Sequence, residues 1–250
     1  MRLAVTGTDT GVGKTIVAAA LLAMLRRDGL RVAGMKPVEP GLVHGDAASD
    51  AELLREAAGE DDSLEDVCPV SLAGEGIPPV GERLTDSGNT IPLLDAAFAR
   101  LAADRDTVLV EDPSGLLVPV VPGVSFDRLA RRWNLDLLVV AADRPGLIHH
   151  ILLVARAARE AGLRVRGVVI NELYADQRSA SESATNDALF AALPGVPVYR
   201  FPFVARPLDQ SALAAAASNA GLDALRSPVI ALPAHSQSPL ADAEGEEARA

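Results

Sequence analysis

The chain has 250 residues, with 23 Lys and Arg against 34 Asp and Glu, a formal charge of −11. That balance argues against a broad nucleic-acid-binding face, while a local basic pocket stays open. Cys68 is the only cysteine, which excludes an intramolecular disulfide and a cysteine-rich metal site; it reads as a small buried hydrophobe.

The first residues form an apolar strand that runs straight into a glycine loop, without the apolar stretch and cleavage site of a signal peptide. No apolar run reaches the ~18 residues that a membrane helix needs. The expectation is a cytoplasmic protein without membrane or nucleic-acid partners.

In chain order, Arg2 to Thr6 reads as a short buried strand, and Lys14 to Arg27 as a helix rich in Ala and Leu, closed by Asp28-Gly29. Arg31 to Pro37 reads as a second strand, which completes a βαβ unit. A further helix begins near Ala51, where Asp50 is a candidate cap. Asp61 to Gly88 is rich in Gly, Pro and acidic residues and reads as a long excursion or a lid.

The alternation then resumes. Ile91 to Asp104 is a predicted helix and Thr107 to Glu111 a strand; Phe126 to Trp133 is a helix and Asp136 to Asp143 a strand. Leu147 to Ala161 is a helix stopped by Gly162, Val165 to Glu172 a strand, Ser179 to Leu193 a helix and Val196 to Phe201 a strand. From Ser227 onward Pro, Ser, Ala and Glu dominate, so residues 1–226 are expected to form one domain and 227–250 a disordered acidic tail. Apolar strands alternating with helices imply an α/β fold whose mainly parallel sheet is covered on both faces. Ligands on such sheets sit beyond the carboxyl ends of the strands.

The first of those ends carries VTGTDTGVGKT, Val5 to Thr15. A strand, a glycine loop and a helix start together surround an anion with backbone N–H groups and a positive helix end. Lys14 would reach the terminal phosphates and Thr15 would offer its hydroxyl to Mg²⁺, with Gly11, Val12, Gly13 and Ile16 completing the nucleotide cradle. The spacing is unusual. Five residues, Thr8 to Val12, separate the first glycine from Gly-Lys-Thr, so Thr8 stands where the strict phosphate-loop pattern has glycine. The architecture expected is the three-layer P-loop NTPase fold.

The stretch GTDTGVGKT, Gly7 to Thr15, resembles the signature loop of the dethiobiotin synthetases, which has this extended spacing. The resemblance continues through GMKPV (Gly34 to Val38), SDAELL from Ser49, VEDPSG from Val110, GLIHH from Gly146 and VVIN ending at Asn171. It implies ATP-dependent closure of a ureido ring. The diamine 7,8-diaminononanoate takes up CO₂ or bicarbonate as a carbamate, ATP phosphorylates it, and the second amine displaces phosphate.

In that reading Lys36 and Lys14 stabilise the carbamate and the transferred phosphoryl group, and Thr10 contacts the substrate. Thr15, Asp50 and Glu111 hold Mg²⁺. Glu111 has separate support, since TVLV followed by an acid at a strand end is a metal-ligand position in phosphate-loop proteins. Asn171 would read the adenine edge, and Pro202, Phe203 and Val204 would line the base pocket. The helix opened by Gly146 would lie at a homodimer interface and help hold the substrate's carboxylate. His149 and His150 are adjacent, point in different directions on a helix and do not read as a metal pair.

Two departures stand out. The family's Glu-Gly-Ala-Gly-Gly is EDPSG here, Glu111 to Gly115, and its serine after Lys-Pro-Val is Pro40, preceded by Glu39. Asp112 and Pro113 add side chains where backbone is expected to approach ligand. Two alternatives therefore stay open. One is a related amide- or ring-forming ligase with another substrate. The other is an ATP switch resembling the partitioning and septum-placement ATPases, which carry an additional early lysine where this chain has Thr8, Asp9 and Thr10.

Overall fold

The computed structural model describes residues 1–40, 49–72, 87–175, 188–189 and 191–226. Among them, six strands form one parallel sheet: β1 (Arg2–Gly7), β2 (Val32–Met35), β5 (Thr107–Glu111), β8 (Asp136–Ala142), β9 (Val165–Asn171) and β10 (Val198–Phe201). Their order across the sheet is β10-β9-β8-β1-β5-β2. The phosphate-loop strand β1 is thus central, flanked by β5 and β8 with Val5 opposite both Glu111 and Leu138.

Side-chain alternation separates two apolar layers. Leu3 and Val5 of β1 and Leu138, Val140 and Ala142 of β8 face one side, with helices α1 (Lys14–Arg27), α2 (Asp50–Ala58) and α7 (Gln210–Asn219). Ala4 and Leu137 face the other, with α4 (Ser87–Ala102) and α5 (Phe126–Arg132). Val139 and Ala141 on that same face pack with Leu147 and Ile151 of α6 (Leu147–Glu160). A strand buried on both faces has no polar side, which is why these strands read as continuous apolar runs. The result is the expected three-layer P-loop NTPase architecture.

Helix α1 is buried along almost its whole length because α2 and α7 both cover it. Its alanines let the three helices approach closely, and Arg26 and Arg27 in the last turn oppose the negative helix end.

The predicted excursion from Asp61 is partly built into the fold. Ser63 caps the one-turn helix α3 (Leu64–Val67), and β4 (Val70–Leu72) pairs in parallel with β3 (Val38–Pro40). The carbonyl of Val67 accepts from the Lys36 N–H at 2.7 Å, so this segment braces the end of β2. Residues 73–86 lie outside the described residues.

Helix α4 begins one turn before the predicted Ile91, with Pro92 inside its second turn. Of the predicted helix Ser179 to Leu193, residues 188–189 and 191–192 are helical and Leu193 is a bend, while 179–187 and 190 lie outside the described residues, as does 227–250. A short antiparallel pair, β6 (Pro119–Val121) and β7 (Val124–Ser125), follows the loop after β5.

Candidate active site

Gly7 ends β1, and its place in the loop follows from crowding. A Cβ there would lie 2.9 Å from the Asp9 carbonyl oxygen and from Val12 Cγ2, and 3.0 Å from Lys14 Cδ. The loop folds back over Gly7 and the Lys14 stem crosses it, so the displaced first glycine is a geometric requirement of the longer loop. At the far end Gly13 adopts φ 90°, and a Cβ there would meet Asn171 Nδ2 at 2.1 Å.

Asn171, at the end of β9, is buried and donates its amide to the Val12 carbonyl oxygen at 2.9 Å. In this structure Asn171 braces the loop from behind and is not among the residues that line the cleft.

That cleft holds about 550 Å³ over the carboxyl ends of β1, β2 and β5, and its lining includes Thr10, Gly11, Gly13, Lys14, Thr15 and Ile16. Lys36, Asp50, Glu111 and Pro113 complete the polar side, and Arg206, Pro207 and Leu208 close another edge. Pro202, Phe203 and Val204 do not line it: Val204 packs on the α1 side of the core and Phe203 is exposed, so the segment after β10 reaches the cleft only from Arg206. Val12 is buried beneath the loop and contributes its carbonyl.

Lys14 is buried, with its ammonium 3.2 Å from the Asp9 carbonyl oxygen. Asp9 accepts from the Thr10 N–H at 2.8 Å and from Arg144 at 2.6 Å. The Arg144 guanidinium holds the Asp9 carboxyl below the usual range.

Four predicted residues meet in one cluster. Glu111 Oε1 accepts from Thr15 Oγ1 at 2.7 Å and from Lys36 Nζ at 3.0 Å, and Lys36 also bonds Asp50 Oδ2. Burial alone would push the Lys36 ammonium down, but the Glu111 and Asp50 carboxylates outweigh it and hold its pKa above the ordinary lysine range. Burial pushes the Glu111 carboxyl up, with Lys36 opposing.

Asp50 does not cap its helix. Ser49 does, in a reciprocal capping box with Glu52. Glu39 accepts from the Asp50 N–H at 2.7 Å, so the Asp50 side chain is left to face Lys36.

The EDPSG departure resolves in the same way. Asp112 is 1 % exposed and turns away from the cleft. It accepts from Thr6 Oγ1 at 2.5 Å and from the Ser114 and Gly115 N–H groups at 3.0 and 2.9 Å. Of the three substituted positions only Pro113 lines this cleft, while Ser114 and the unchanged Gly115 line a neighbouring one.

One signal in the sequence was available and unused. The chain has 21 arginines and only two lysines, and both lysines are buried in this cleft. Arg serves every other cationic position, so these two sites demand a compact, mobile ammonium.

A family model described as an AAA domain matches residues 1–201. An ATP-dependent dethiobiotin synthetase of Anaeromyxobacter dehalogenans is 38 % identical over 83 % of this chain and 90 % of its own length. The chain belongs to the ATP-dependent dethiobiotin synthetase family. Family members from Akkermansia muciniphila and Aquifex aeolicus are 35 % and 30 % identical, over 78 % and 81 % of this chain and 88 % and 89 % of theirs. The residues matched by the family model, 1–201, take in the phosphate loop, Lys36, Asp50 and Glu111 with the rest of the sheet.

Proposed function

We propose that the chain closes a ureido ring on a vicinal diamine, 7,8-diaminononanoate, using CO₂ and ATP with Mg²⁺, to give dethiobiotin, ADP and phosphate. The observation that carries this is the convergence of the only two lysines, Lys14 and Lys36, in one cleft with Thr15, Asp50 and Glu111. Phosphoryl transfer is mostly positioning and charge neutralisation, and two buried ammonium groups supply that without a protein nucleophile.

The donor set fits Mg²⁺. Two carboxylates and a hydroxyl are hard oxygen ligands, and Glu111 Oε2 is a buried carboxylate oxygen with no hydrogen-bond partner among the described residues. Among the described residues no cluster of three His, Cys, Asp or Glu side chains could form an all-protein metal cage. An open set that leaves places for phosphate oxygens suits this ion. When bound, Mg²⁺ would neutralise charge on the transferring phosphate.

In the reaction one amine adds to CO₂ and loses a proton, giving a carbamate that Lys36 and Lys14 stabilise. A carbamate oxygen takes the γ-phosphoryl group and ADP leaves. The second amine attacks the carbonyl carbon and phosphate departs with that oxygen. Thr10, at the junction of the two clefts, is assigned to the substrate. Gly11, Gly13, Thr15 and Ile16 are assigned to the nucleotide.

A homodimer acting in the cytoplasm belongs to the same reading. It is supported by a mainly apolar cleft of about 400 Å³ between the 114–118 loop and α6, beside which Leu117 and Leu153 stand 61 % and 53 % exposed. Among the described residues no helix is long and apolar enough to cross a membrane. Phosphate release from Mg-ATP and bicarbonate, followed with and without the diamine, tests the reaction: dependence on the diamine is expected, and turnover indifferent to it would contradict the assignment.

A further inference from the structure

Lys36 occupies a peculiar place for a catalytic cation. Its ammonium bonds the two carboxylates assigned to the metal, Asp50 Oδ2 and Glu111 Oε1, and its side chain is 4 % exposed. The two carboxylates, Glu111 buried and the Asp50 side chain 46 % exposed, repel, and one ammonium between them leaves a local charge of −1 instead of −2. A divalent ion seeking the same oxygens at ~2.0–2.1 Å meets that ammonium on two of them. The one buried oxygen left over, Glu111 Oε2, has no partner among the described residues.

We propose that Lys36 is a place-holder cation, which joins Asp50 and Glu111 while the metal is absent and is released from them when a divalent ion binds. The inference rests on the Mg²⁺ reading of this site. The freed ammonium sits on a four-carbon stem at the end of β2 and swings toward the cleft, where phosphate and carbamate oxygens replace its lost partners. The catalytic lysine is thereby withheld until the metal is in place.

The choice of residue supports this. A chain that uses Arg at 21 positions keeps Lys here, and an arginine fork would hold both carboxylates in a fixed bidentate grip. A lysine ammonium has no such geometry and lets go. Thr15, which also donates to Glu111 Oε1, can instead turn its hydroxyl oxygen toward the ion.

The test uses Mn²⁺ binding to the nucleotide-free full chain, measured by electron paramagnetic resonance. Lys36→Met is expected to bind Mn²⁺ at least tenfold more tightly than the native chain, and Lys36→Arg more weakly than native, since its fork does not release the carboxylates. Equal affinity in the native and Lys36→Met proteins would overturn the proposal. Charge repulsion alone could tighten binding without any release, so a second readout follows the lysine itself. With isotope-labelled lysine the native protein gives only two side-chain spin systems, and in a titration with diamagnetic Mg²⁺ the Lys36 signal should shift with the same midpoint as Mg²⁺ binding, read as displacement of Mn²⁺. A Lys36 signal unmoved at metal saturation would refute release, the ion then sitting on Glu111 Oε2 beside a retained ammonium. Mn²⁺ binding that survives Glu111→Gln would overturn the underlying metal site instead.

Discussion

Replacing Asp112 tests whether the altered loop after β5 is held by that buried carboxylate. In Asp112→Ala the Thr6 hydroxyl and the Ser114 and Gly115 N–H groups all lose their acceptor. An unsatisfied buried donor costs about 1–3 kcal/mol. Ser114 and Gly115 are only half-buried and recover part of this from water, and removing a buried carboxylate offsets more. The expected net loss is about 3 kcal/mol, or a fall in Tm of about 9 °C at ~3 °C per kcal/mol for a chain of this size.

Asp112→Asn keeps the acceptor for both N–H groups, while Thr6 can reverse to accept from the new amide. It should remain within about 1 kcal/mol of native. The pH dependence separates the two proteins further. Burial raises the Asp112 carboxyl above its ordinary value of 3.8, against the opposing Thr6 hydrogen bond and Lys14 charge. A carboxyl with a raised folded pKa binds its proton more tightly when folded. Its contribution to stability is therefore greatest below the unfolded value and is lost as pH rises through the folded one. Differential scanning fluorimetry from pH 4 upward should show the native protein losing stability relative to Asp112→Asn. An Asp112→Ala protein melting within 1 °C of native, or native and Asn curves running parallel with pH, would refute the reasoning.

Other outcomes follow from the same geometry. Lys14→Ala and Lys36→Ala should each lower turnover at least about 10²-fold in a phosphate-release assay, as loss of a preorganised charge does. Gly13→Ala places a methyl 2.1 Å from Asn171 Nδ2 at a positive φ, and should cost about 2–4 kcal/mol in urea unfolding. Adding Asn171→Ala to that variant should return part of the loss. Leu153→Asp, on the exposed side of the apolar cleft, should shift sedimentation toward monomer if that face joins two copies.

Much of this fold was legible because its strands are buried on both sides. Uninterrupted apolar runs ending in Gly7, Glu111 and Asn171 mark both the strands and the edge where ligands bind. Helix α7 escaped because Gln210–Asn219 is nearly all small residues, which leave no amphipathic stripe to detect; its one signal was the cap Asp209. Helix α3 is a single turn, too short for any period.

In the site, residue types indicated the phosphate loop and the acidic pair, but not directions. Asp112 looked like an obstruction and is a buried clasp. Asn171, read as a base contact, also braces the loop. Asp50 could be read as a metal ligand or as a helix cap, and Ser49 with Glu52, which already spelled the capping box, takes the capping role. A side chain's direction depends on what the neighbouring strands place beside it, and that is a tertiary fact.

The central claim is carboxylating ring closure in this cleft, and labelled bicarbonate tests it most directly. The protein would be incubated with Mg-ATP, 7,8-diaminononanoate and ¹³C-bicarbonate, and the product weighed by mass spectrometry. Dethiobiotin heavier by one mass unit, formed with one phosphate per ring and absent with Lys36→Ala, is the predicted result. Phosphate release without a labelled ring would contradict it.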